Sequence, residues 1–214
     1  MSVATKICGL MTAEAVDAAV EAGADMVGFV FYGPSPRHIE LTAAAKLMDR
    51  VPKGVGKVAL TVDADERLLA DIVEKTPVDL LQLHGSESPL QVATLRQRFG
   101  VPVMKVLPVS VADDLSAAVA YEAVVDKLMF DAKPPKGATR PGGNAVSFDW
   151  EILRGFASAK PWVLAGGLTA DNVAQAVRIS GATTVDVSSG VEDKPGVKNI
   201  DKIRAFVRAA KAAT

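Results

Sequence analysis

Eight short, almost wholly apolar runs recur along the chain, each followed by an alanine-rich amphipathic stretch, and this alternation limits the fold more than any other feature. The runs are Thr5 to Cys8, Met26 to Phe31, Val58 to Val62, Leu80 to Leu83, Val103 to Leu107, Leu128 to Asp131, Trp162 to Ala165 and Thr184 to Val187. Continuous apolar character without polar alternation marks parallel strands covered on both faces. The intervening pattern predicts helices over Ala13 to Ala22, Thr42 to Arg50, Glu66 to Lys75, Pro89 to Phe99, Asp114 to Ala123, Trp150 to Phe156, Ala170 to Ile179 and Ile200 to Ala212. Capping chemistry agrees with several of these boundaries: Thr12 and Thr169 precede helix starts, while Gly23, Gly100 with Pro102, and Gly181 follow helix ends. Eight strand-helix units of about 25 to 30 residues each make a compact α/β protein, a single-domain (β/α)8 TIM barrel spanning residues 1–214. The rival, a doubly wound open sheet, normally uses fewer strands and would leave the last two units without a layer to join. The stretch from Lys133 to Asn144, rich in Pro, Lys and Gly, reads as a long loop within the domain and a possible lid.

Composition narrows the function. Lys and Arg number 24 against 25 Asp and Glu, a net charge of −1, so no global positive field exists to hold nucleic acid or an anionic membrane. Aromatic content of 5% further disfavours base stacking. No apolar stretch approaches the roughly 18 residues that span a bilayer, and the expectation is a soluble cytoplasmic protein. The lone Cys8 excludes an intramolecular disulfide and leaves a buried small side chain or a reactive thiol. No apolar surface helix advertises a partner, so a monomer is favoured.

In a barrel the chemistry lies on loops after the C-terminal strand ends, and the unusual residues cluster there. Cys8-Gly9 closes the first strand, Gly33 to His38 follows the second, and His84-Gly85 the fourth. Asp131 closes the sixth, Gly166-Gly167 the seventh, and Ser188-Ser189-Gly190 the eighth. The last two loops suit a phosphate, because glycine lets backbone N–H groups approach an anion and a short extra helix can point at it; tight turns are the plainer reading. Ser188 lacks the surroundings of a hydrolase nucleophile. Cys8 can serve as a base if positive charge stabilises its thiolate; Lys6 is expected to point to the opposite side of the strand, so that charge must come from elsewhere. Asp131 ends an apolar run, where a carboxyl is either functional or caps the loop. Arg37 offers a planar fork for a carboxylate or phosphate, or forms a surface salt bridge. His84 and His38 lack metal-ligand spacing, and His84 reads as a hydrogen-bonded or site-lining residue; no metal is expected. Lys202, Arg204, Arg208 and Lys211 form the solvated face of the last helix.

Taken in order, Lys6-Ile7-Cys8-Gly9, Gly28 to Phe31 with Pro34 to Arg37, Gln82 to Gly85, Asp131, Gly142-Gly143, Phe148-Asp149-Trp150, Leu164 to Leu168 with Asn172-Val173, and Asp186 to Glu192 with Pro195-Gly196 resemble the phosphoribosylanthranilate isomerase family. The resemblance covers nearly the whole chain and implies a cofactor-free aldose-ketose isomerase, an intramolecular oxidoreductase of tryptophan biosynthesis. It implies the Amadori rearrangement of N-(5-phosphoribosyl)anthranilate to 1-(2-carboxyphenylamino)-1-deoxyribulose 5-phosphate. On the family pattern Asp131 is the general acid and Cys8 the general base. Arg37 would grip the anthranilate carboxylate, and Gly166, Gly167, Ser188, Ser189 and Gly190 would bind phosphate. Asp186 would contact substrate, and His84, Gly142 and Gly143 would line the site. The family's Gly-Gly-Thr-Gly is here Gly142-Gly143-Asn144-Ala145, so the sixth loop is expected to follow its own path, and Ala145→Gly to alter closure. Another phosphosugar isomerase on the same barrel, and a noncatalytic phosphoribosyl-ligand sensor, are the competing functions.

Overall fold

A computed structural model describes residues 2–135, 137–138, 141–144 and 147–213. Strands β1 (Ala4–Cys8), β2 (Met26–Phe31), β3 (Gly56–Thr61), β4 (Leu80–Leu83), β5 (Val103–Val109), β6 (Lys127–Ala132), β7 (Trp162–Leu164) and β8 (Thr184–Val187) pair in sequence order, and β8 closes on β1. Every barrel pairing is parallel, with Lys6 opposite Met26 on one side and Asp186 on the other.

Alternation along the strands sorts side chains into two layers. Val58, Leu80, Met104, Val106, Met129, Val163 and Ala165 fill the barrel interior, capped by a smaller group of Cys8, Val30 and Leu60. The opposite faces, including Ile7, Phe29, Leu81, Leu107, Phe130 and Val185, pack beneath the helices. The helices are α1 (Ala13–Glu21), α2 (Leu41–Met48), α3 (Glu66–Lys75), α4 (Pro89–Phe99), α5 (Ala117–Glu122), α6 (Val173–Ser180) and α7 (Ile200–Lys211). The start of α4 shows why its boundary was readable. Ser88 accepts from Gln91 N–H, the Gln91 side chain returns the bond, Pro89 occupies the first turn, and Gly100 ends the helix at φ +64°.

Three expectations change. The region Trp150 to Phe156 makes only a 3-10 turn over Trp150–Leu153, because Gly155 reverses the chain at φ +70° and sends Phe156 edge-on against Phe130, with centroids 5.1 Å apart. The helix expected from Ala170 begins at Val173; Thr169 is not its cap, since Asn172 Oδ1 instead accepts from Thr169 N–H at 2.8 Å. The helix expected over Asp114 to Ala123 opens as a 3-10 turn at Ala112–Ser116 before α5. After β8 the chain makes one 3-10 turn, Ser189–Val191, then a hairpin of β9 (Glu192–Lys194) and β10 (Val197–Lys198) that the sequence pattern did not announce. Among the described residues, no helix is long and apolar enough to cross a membrane.

Candidate active site

Two adjoining cavities open at the C-terminal end of the barrel, and every residue singled out as a site candidate lines one or both. Cys8, Arg37 and His84 line the first; Gly166, Gly167, Ser189 and Gly190 line the second; Asp131, Gly142, Gly143, Asp186 and Ser188 belong to both. The first has an apolar wall of Val30, Tyr32, Leu60 and Val62, suited to a flat ring, whereas the second is bounded largely by main chain and small side chains.

The strand β1 supplies the most informative correction. Lys6 does not point away from Cys8. The two are separated by one residue, so the two-residue period of a strand puts both on the same inward face. Lys6 is fully buried, and its Nζ lies 2.8 Å from Asp186 Oδ1 on β8. Gly28 on β2 makes room for this arrangement: a methyl group there would stand 3.0 Å from Lys6 Nζ and 3.1 Å from Cys8 Sγ. Burial pushes the Cys8 thiol above its ordinary value and Asp186 pushes the same way, while Lys6 and, more weakly, Lys198 oppose them. Burial alone would lower the Lys6 ammonium, but Asp186 and Cys8 outweigh it, and Lys6 remains a cation above its ordinary range.

Across the cavity from Cys8, Asp131 sits one residue before the end of β6, and its two carboxylate oxygens have different neighbours. Oδ1 accepts from Ala132 N–H at 2.8 Å, and Oδ2 lies 3.3 Å from His84 Nε2. Gly142 covers this pair, and a Cβ at that position would sit 2.6 Å from His84 Cε1 and 2.8 Å from Asp131 Oδ2. A methyl group at Gly142 would therefore force the two side chains apart. Ala145, and the closure expected of Ala145→Gly, lie outside the described residues.

Arg37 is neither exposed nor free. Its Nε and Nη2 donate to Glu192 Oε1 and Oε2 at 2.7 and 2.8 Å, a bidentate pair in which both side chains are buried. Lys198 Nζ joins Glu192 Oε1 at 2.7 Å and donates to Ser188 O at 2.8 Å. Despite burial, which alone would raise it, Glu192 is held below its ordinary range by Arg37 and Lys198. Burial pulls the Lys198 ammonium below its usual value, against the attraction of Glu192. Arg37 Nη1 is directed toward Gly143, whose added Cβ would stand 2.5 Å away. The hairpin thus fixes the β2–α2 loop, and it packs so closely that Gly196, at φ +85°, has no space for a side chain beside Pro36 O. Neither Lys198 nor the role of Glu192 could be read from the sequence, since both depend on that hairpin; Lys6 could have been, by counting strand period correctly.

The second cavity gathers the β7 and β8 loops. Gly166 and Gly167 adopt φ of +91° and +63°, a left-handed pair that only glycine takes without strain and that turns backbone toward an anion. Ser188 Oγ donates to Cys8 O at 3.1 Å, tying this loop to the thiol strand. Among the described residues, no group of three His, Cys, Asp or Glu side chains is placed to hold a metal ion.

The chain is similar to known proteins over nearly its whole length. The family described as N-(5'phosphoribosyl)anthranilate (PRA) isomerase matches residues 5–209. An N-(5'-phosphoribosyl)anthranilate isomerase of Paramagnetospirillum magneticum is 58% identical over 211 residues, covering 99% of this chain and 98% of the relative. One from Rhodopseudomonas palustris is 56% identical over 213 residues, covering 100% and 98%. Among solved structures, the phosphoribosyl anthranilate isomerase of Thermotoga maritima superposes with a TM-score of 0.86 at 33% identity, covering 98% of both chains. A phosphoribosyl anthranilate isomerase in complex with reduced 1-(o-carboxyphenylamino)-1-deoxyribulose 5-phosphate superposes at 0.83 with 32% identity, again over 98% of each chain.

Proposed function

This chain belongs to the N-(5'-phosphoribosyl)anthranilate isomerase family, and from that membership we propose that it isomerises N-(5'-phosphoribosyl)anthranilate in tryptophan biosynthesis, with Asp131 as general acid and Cys8 as general base. The observation that carries the reading is the placement of a buried thiol and a carboxyl on opposite strands of one cavity, β1 and β6, beside a glycine-rich loop pair. Phosphate binds in the second cavity against Gly166, Gly167, Ser188, Ser189 and Gly190. The aminobenzoate ring lies against Val30, Tyr32, Leu60 and Val62, with its carboxylate at the Nη1 side of Arg37. The ribose between these anchors meets Cys8 on one side and Asp131 on the other.

Asp131, as the general acid, delivers a proton from its carboxyl to the ribose ring oxygen while the anthranilate nitrogen pushes open the C1–O bond, giving an iminium. That cation is the electron sink that lets the Cys8 thiolate remove the C2 proton, leaving an enolamine. Loss of the proton from the C2 hydroxyl and gain of one at C1 give the ketone. Two protons leave the substrate and two are returned, so the product is an isomer and no redox partner is required. Lys6 stabilises the thiolate, and Asp186 holds Lys6 in place.

Because the base must be ionised and burial raises its pKa, the thiolate fraction grows with pH across neutrality and beyond the ordinary thiol value of about 8.5. We expect single-turnover rates to rise over that interval; a flat profile would remove Cys8 as the base. Among the described residues, the large exposed apolar side chains are Leu90, Val111, Val119 and Val197, too few for an extensive apolar face, which favours a monomeric single-domain enzyme.

The test follows loss of anthranilate-type fluorescence when substrate is generated in situ from anthranilate and phosphoribosyl pyrophosphate, with an enzyme-free control and identification of the product. Product formation well above control supports the isomerase. A folded protein that binds the reduced product analogue without turnover would overturn it in favour of a phosphoribosyl-ligand sensor.

A further inference from the structure

One buried ion pair has no part in the chemistry above. The alternation that turns Met104 and Val106 into the barrel aims Lys105 outward beneath the helices, where it is 2% exposed, and its partner Glu87 is 6% exposed. Removing two charges from water is costly, and such a pair is poor evidence for stability alone. Its geometry shows what it holds. The Lys105 ammonium has three donors and three acceptors: Leu83 O at 3.3 Å, Gly85 O at 2.7 Å and Glu87 Oε2 at 2.9 Å. Leu83 and Gly85 are the two neighbours of His84.

The other half of the clasp comes from the β3–α3 loop. Glu87 Oε1 accepts from Asp63 N–H at 3.0 Å, and Glu87 also receives Gly85 N–H at 3.1 Å on Oε2. Asp63 Oδ1 accepts from Ser86 N–H at 2.6 Å. For this Asp63 adopts φ +45°, the one described non-glycine residue in the left-handed region, and Gly85 leaves it room, since any side chain at Gly85 would collide with its carboxylate. His84 N–H donates to Thr61 O at 2.9 Å, and Tyr121 OH donates to Glu87 O at 2.9 Å. The main chain is therefore fixed before and after His84, while its ring enters the cavity and faces Asp131 Oδ2.

We propose that Lys105, Glu87 and Asp63 are positioning residues for the acid side of the reaction: they set the His84 backbone so that its ring, 3.3 Å from Asp131 Oδ2, keeps the Asp131 carboxyl aimed at the sugar. The inference rests on the isomerase reading. It predicts an effect on turnover that passes through His84, with the anchors for phosphate and carboxylate untouched because they lie on other loops.

A double-mutant cycle on the full chain reads this directly. Lys105→Met, and separately Asp63→Gly, are measured in the wild-type and His84→Asn backgrounds, with melting curves to confirm folding. Lys105→Met lowers kcat by roughly 10- to 100-fold, with the Kd of the reduced product analogue changed by less than about twofold. In the His84→Asn background the same substitution costs less than about twofold more. Asp63→Gly, at an exposed position that keeps the left-handed backbone, follows the same pattern and carries the test if Lys105→Met does not fold. Wild-type kcat in both single variants, or a loss of equal size with and without His84, would overturn the inference alone. A wild type that binds the analogue without turnover would overturn the isomerase reading, and this inference with it.

Discussion

Cys8→Ala and Asp131→Asn each lower turnover by about 10²- to 10⁴-fold, the usual contribution of a positioned acid or base, while the Kd of the reduced product analogue changes little. Both replacements fit their sites. Cys8 is 3% exposed within a small group with Val30 and Leu60, so alanine removes only the sulfur. Asparagine can still accept from Ala132 N–H through its carbonyl oxygen but cannot supply an acidic proton. The double variant should be little worse than the poorer single one, because both groups serve one bond-making sequence. Stopped fluorescence decay with intact analogue binding is the expected pattern; a Cys8→Ala enzyme at wild-type rate would move the base elsewhere, with Asp186, a carboxylate of the same cavity, the next to test.

Lys6→Met is expected to be the second most damaging substitution, and it acts on stability as well as on rate. It leaves Asp186 in the barrel mouth without its cation, and breaking a buried pair by removing one partner costs about 3–5 kcal/mol. It also removes the nearest positive charge from Cys8, so the thiol, already raised by burial, rises further. The sign is fixed: less thiolate at neutral pH, and a rate that recovers only as pH climbs. A lowered melting temperature together with an activity rise displaced to higher pH is the expected result. A lower melting temperature with the wild-type pH profile would show that Lys6 supports the barrel but not the base. Lys6→Met combined with Asp186→Asn should regain much of the stability without regaining the rate.

The fold was legible because its signals are local and repeated. Apolar strand runs recur at regular intervals, and residues such as Ser88, Pro89 and Gly100 mark helix ends by chemistry that acts within one turn. Two expected helices gave way to different contacts: Phe156 leaves the chain direction of Trp150–Leu153 to meet Phe130 across the fold, and a local bond from Thr169 N–H to Asn172 Oδ1 delays the next helix to Val173. The site was legible partly as residues at strand ends and the loops after them and partly, for Asp186, Gly142 and Gly143, through the family resemblance; all of them line the two cavities. Its electrostatics were not. The strand period puts Lys6 on the Cys8 face but says nothing of its partner Asp186 on β8, and the Arg37–Glu192–Lys198 cluster joins residues more than 150 positions apart through a hairpin with no strong sequence signature. The Lys105–Glu87 pair was equally hidden, because a lysine within an apolar strand run carries no sign of which carbonyls it will hold.

The central claim is that Cys8 removes the proton from ribose C2, and substrate deuterated at that carbon tests it most directly. In single-turnover fluorescence decay the wild-type enzyme should process the deuterated substrate more slowly than the protiated one, with the residual reaction of Cys8→Ala slower still and its isotope effect retained or enlarged. Equal wild-type rates with both substrates, under conditions where the chemical step limits the decay and Cys8→Ala remains fully active, would contradict the account.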